Sequence, residues 1–137
     1  MKYLYYILAI VAIVCVVITR DPKNLKDLKE LYYRFLEILP QKYETLKRGS
    51  VITGLAPFWK ELGYNVNKGY EICICMDNNV NAMFHVLLHE LAHGTVEAYQ
   101  HNDEFWNNYN ELRDMAIQAG LYTPTGEVKF CGKKISD

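Results

Sequence analysis

The sequence predicts an α+β domain: a small antiparallel sheet, an apolar helix bearing two histidines and a glutamate, and flanking helices, all behind one N-terminal apolar helix. Three observations carry that reading: an uncharged run from Tyr3 to Thr19, two strand-like runs on either side of Asn67-Lys68-Gly69, and the apolar stretch Ala82–His93. At roughly 100–200 residues per domain, 137 residues make one compact domain and exclude a multi-domain enzyme. With 50% hydrophobic and 23% charged residues the chain is globular, and a net charge of −1 argues against a generally basic nucleic-acid binder.

The first element is the run Tyr3–Thr19, 17 residues without a charge. At about 1.5 Å per residue it reaches about 25 Å, the short end of a bilayer span. Residues 1–20 are therefore predicted to be a transmembrane anchor, with the bilayer as partner through residues 3–19. A cleavable signal peptide would want a small-x-small pair at the end of the run, and Val17, Ile18 and Thr19 do not supply it. A lipoprotein cysteine at Cys15 would want a small residue before it, where Val14 stands. Arg20, Lys23, Lys26 and Lys29 follow the run closely, which predicts a single-pass protein whose C-terminal domain, residues 21–137, faces the cytoplasm or an equivalent interior. Residues 20–48 hold 8 Lys and Arg against 5 Asp and Glu, whereas 49–137 hold 6 against 11.

Asp21-Pro22 reads as an N-cap with proline at the first helical position. Leu25, Leu28, Leu31, Tyr32, Phe35, Leu36 and Leu39 then recur at helical steps up to Pro40, an amphipathic helix that covers the core. A short helix is expected around Tyr43–Lys47, followed by loop through Gly54 and Pro57. Tyr64–Asn67 and Tyr70–Met76 form a hairpin around Asn67-Lys68-Gly69. Asn81 is placed as cap of a helix beginning at Ala82.

That helix carries the chemistry. His89 and His93, four residues apart, project from one face and can chelate one cation. Glu90 sits beside them, where it can take a proton from water activated by the metal. Burying these three polar groups among Met83, Phe84, Val86, Leu87 and Leu88 is costly unless a metal accounts for them. His101, beyond a chain turn near Gln100–Asn102, can return as third ligand, and three imidazoles suit Zn²⁺ with a fourth position open. Glu97, four after His93, is the alternative carboxylate ligand.

His89-Glu-Leu-Ala-His93 followed by His101-Asn-Asp-Glu-Phe105-Trp106 resembles the WLM and SprT-like zinc metallopeptidases, over about residues 25–135. It looks most like the short, often membrane-anchored WLM-like proteins of large DNA viruses, which end in a Cys-Gly like Cys131-Gly132. The resemblance implies a minimal zincin-like fold, one Zn²⁺ held by His89, His93 and His101, and Glu90 as general base. It implies a viral membrane or virion setting as well, with virion or membrane proteins as neighbours.

His85, one turn before His89, reads as a residue supporting the ligands or packing behind them. Tyr99 and Tyr109 are the phenols near enough to stabilise an oxyanion, and the sequence does not choose between them. Phe105, Trp106, Tyr109, Leu112 and Met115 read as the core face of the next helix. Cys75, or Cys73, bonded to Cys131 would staple the tail to the hairpin. The function expected is thus a membrane-anchored zinc metalloprotease acting on a protein or peptide, without nucleic acid. The alternative is a membrane or virion structural protein that keeps the metal site without essential proteolysis.

Overall fold

Leu25, Leu28, Tyr32 and Phe35 lie on one stripe of helix α2 (Lys23–Ile38), and all four are buried. The computed structural model describes residues 2–19, 21–56, 61–67, 69–97 and 100–137. Helix α2 ends ahead of Pro40, whose ring cannot continue it. A 3₁₀ turn (Gln41–Tyr43) and the single-turn α3 (Glu44–Lys47) follow. The cap differs from the sequence expectation. Pro22 occupies the N-cap position without a side-chain bond, and Asp21 instead pairs with Lys29 Nζ at 2.6 Å.

The sheet has three strands, β1 (Val51–Leu55), β2 (Gly63–Val66) and β3 (Glu71–Cys75), in the order β1-β3-β2. Strands β2 and β3 are the antiparallel hairpin, with Asn67 at φ 51° and Gly69 at φ 97° in its turn. The expected loop after α3 instead contains β1, which runs parallel to β3 and makes the sheet mixed rather than antiparallel. A glycine inside a strand hides the pattern, and Gly54 is there for space: a Cβ at this position would lie 2.6 Å from Met76 Sδ.

Helix α4 (Val80–His93) crosses the middle of the core. Ala82, Met83, Phe84, Leu87, Leu88, Leu91 and Ala92 are buried, and Phe84 meets Phe35 of α2 edge-to-face at 5.8 Å. Each large apolar side chain so placed contributes roughly 1.5–3 kcal/mol. Its cap is Asn79, whose Oδ1 accepts from Ala82 N at 3.0 Å. Asn81 serves elsewhere, exchanging two hydrogen bonds with the Thr123 backbone. Helix α5 (Asp103–Gln118) packs on α4 through Phe105, Tyr109, Leu112 and Ala116, while Trp106 stays 42% exposed. A terminal hairpin, β4 (Glu127–Phe130) and β5 (Lys133–Ser136), turns at Cys131 and Gly132, both at positive φ. Cys131 is disulfide-bonded to Cys75 at the end of β3, and Phe130 is fully buried, so this hairpin is fixed against the sheet.

The N-terminal expectation is corrected. Helix α1 (Lys2–Thr19) has 18 residues, about 27 Å at 1.5 Å each, against a hydrocarbon core of about 30 Å. No helix among the described residues is long and apolar enough to cross a membrane. The transmembrane anchor, the bilayer as partner through residues 3–19, the single-pass membrane location and the membrane-bound forms of both functional readings are corrected with it.

Candidate metal centre

The site is assembled from the last turn of α4 and the chain that returns to α5. Helical spacing brings the His89 and His93 rings to 4.9 Å between centroids. After Gly94 the chain leaves the helix, held by Thr95 Oγ1 donating to Ala92 O at 2.6 Å and Asn108 Nδ2 donating to Thr95 Oγ1 at 2.9 Å. It returns at Asn102, which caps α5 by accepting from Phe105 N at 3.0 Å. His101, next to that cap, is thereby set 5.0 Å from the His89 ring and 4.9 Å from the His93 ring, against Phe105 at 4.8 Å.

One nitrogen from each of His89, His93 and His101 lies within 4.8 Å of the others, a grouping that could hold a metal ion. His93 Nε2 and His101 Nε2 are 3.0 Å apart. Burial, and then the neighbouring imidazoles, lower the His89 pKa to about 4, and burial followed by His101 lowers that of His93. Three imidazoles brought this close together are the donor set of a zinc-type ion, so the residues fit such a group.

Glu90 is 9% exposed, and burial pushes its carboxyl up to about 7. Asn65 of β2 opposes that rise. Its Nδ2 donates to Glu90 Oε2 at 2.8 Å and to the Glu90 carbonyl at 3.0 Å. Asn65 was missed in the sequence reading, where it is one polar residue in a short strand. The available signal was the asparagine itself, a residue depleted in strands.

A cavity of about 750 Å³ opens on one side of Glu90, walled by Leu62, Val86, Trp106, Tyr109 and Ile135 with His85 among its lining residues. A second hollow, of about 330 Å³, adjoins Tyr64, Asn65, His93 and His101, and Glu61, Gly63 and Glu90 border both. Together they follow β2, one of the two edge strands of the sheet. His85 Nδ1 lies 3.1 Å from Tyr109 Oη and 3.3 Å from Tyr122 Oη, and Tyr122 donates to Asp137 Oδ2 at 2.8 Å. Tyr99 lies outside the described residues, and Glu97 is not part of the three-histidine group.

The family model of the WLM domain matches residues 8–136. The chain belongs to the WLM family. Together with the three-histidine cluster, this makes the WLM protein an enzyme of the metallopeptidase class. No curated protein matches it. Among solved structures the WLM protein is similar to Wss1 from Saccharomyces cerevisiae, at 22% identity over 56% of this chain and 71% of that one, with a TM-score of 0.44. The match is to the WLM domain as such and carries no support for a viral source, and the viral-membrane location is corrected with the span.

Proposed function

We propose that this WLM protein hydrolyses peptide bonds with Zn²⁺ held by His89, His93 and His101 and with Glu90 as general base, residues 21–137 forming the catalytic domain. The observation that carries this is the buried carboxylate of Glu90 between the two α4 histidines. A metal kept only for stability has no use for a base there. When bound, the ion would supply Lewis acidity toward water and toward the scissile carbonyl.

The chain's own groups do the rest. Glu90 takes one proton from water as the water oxygen bonds to the carbonyl carbon, then delivers that proton to the amine as the C–N bond breaks. The edge of β2, which pairs with no further strand among the described residues, offers backbone donors and acceptors to an extended peptide running along the two hollows. Leu62, Val86, Trp106 and Ile135 give the larger one an apolar wall against which substrate side chains can pack.

The test is Glu90→Gln in the purified protein. The variant should keep its metal and cleave no peptide that wild type cleaves. A wild type inactive on a broad peptide library at neutral pH with zinc would overturn the reading.

A further inference from the structure

The proposed base sits at an awkward place in its helix. Glu90 is in the last turn of α4, where carbonyls lose their intrahelical partners. The Gly94 N–H, which a continuing helix would give to the Glu90 carbonyl, goes to Leu91 O at 3.0 Å instead. The side chain is also buried, and a buried carboxylate needs a donor. A single amide meets both needs. Asn65 Nδ2 donates one hydrogen to the orphaned carbonyl at 3.0 Å and the other to Oε2 at 2.8 Å.

We propose that Asn65 is the positioning residue of the general base, clamping Glu90 backbone and side chain together so that Oε2 is fixed and Oε1 is left to take the proton. This rests on the reading of Glu90 as base. A glutamate side chain has three rotatable bonds, and two anchored points on one rigid amide remove most of that freedom. The clamp comes from β2, where Asn65 is opposite Ile72 of β3, so the strand that borders the substrate groove also sets the orientation of the base. Asn65 itself need not touch substrate or metal to do this.

The experiment compares wild type, Asn65→Ala, Asn65→Asp, Asn65→Ser and Glu90→Gln in the full chain, measuring metal content, kcat and KM on a fluorogenic peptide that wild type cleaves. Asn65→Ala should retain its metal and its KM while kcat falls by about 10–100-fold. Asn65→Asp keeps the shape but loses the donor and faces Glu90 with a like charge, so its kcat should fall below that of Ala. Asn65→Ser, which keeps a hydroxyl donor, should recover part of the loss, and it decides the matter if the Asp variant does not fold. Shape filling alone gives the opposite order, with Asp above Ala, and that order would overturn the proposal. Wild-type kcat in the Asn65 variants beside a dead Glu90→Gln would overturn this proposal and leave the peptidase reading standing. An inactive wild type would remove the base and its positioning residue together.

Discussion

His93 Nε2 and His101 Nε2 stand 3.0 Å apart although they are eight positions apart in sequence, because Asn102 turns the chain back into α5 beside the ligand face of α4. Two imidazole nitrogens at that distance can be bridged by one proton, whereas a cation between them uses both lone pairs. His101→Ala should therefore lower zinc affinity more than the about 10-fold at which losses from supporting residues begin. Competition with a chromophoric chelator measures it, and unchanged affinity would remove His101 from the ligand set.

Tyr109 tests the other side of the site. Its hydroxyl lies 3.1 Å from His85 Nδ1, one helical turn before His89, and burial raises its pKa to about 12. A phenol engaged there is not aimed at an oxyanion. Tyr109→Phe is expected to keep kcat within a few-fold of wild type while losing about 1 kcal/mol of stability. A hundredfold fall in kcat with KM unchanged would restore Tyr109 as an oxyanion donor.

The disulfide between Cys75 and Cys131 closes a loop across a sequence separation of 56. Cys131→Ala, or reduction with a dithiol, should destabilise the chain by roughly 2–4 kcal/mol in denaturant melts. Coincident melts with and without reductant would show that Phe130 and Asp137 hold the terminal hairpin alone.

Acid should act through Asp137, whose side chain is 4% exposed. Burial raises its pKa, but hydrogen bonds from Tyr122, the Thr125 amide, Arg113 and the Gly126 amide outweigh that and hold it at about 2. A folded pKa below the unfolded value means stability that is present above about 3.8 and lost as pH falls toward about 2. Asp137→Ala should melt below wild type at pH 6, with the gap closing across that window. A gap independent of pH would contradict the charge-assisted role.

Much of the site was legible because its signals are local. His89, Glu90 and His93 lie within one turn and a half of a helix that is apolar almost all round, and the leucines of α2 mark that helix by their period. What was not legible depends on distant partners. Strand β1 carries Gly54, whose purpose is visible only against Met76, and its partner β3 begins 20 residues after it does. The sequence points to Asn81 as the cap of α4, whereas Asn79 caps it and Asn81, inside the first turn, is bonded to Thr123 far along the chain. Asn65 escaped notice because its work on Glu90 crosses from one element to another. The run Tyr3–Thr19 misled for a different reason, since apolar composition alone does not supply the length a span requires.

The central claim is a metal centre built from three histidines, and elemental analysis of the purified protein tests it most directly. The account predicts about one zinc per chain in wild type and none in His93→Ala, with that variant still folded by circular dichroism. Wild-type protein, folded and supplied with zinc yet carrying no transition metal after gel filtration, would contradict it.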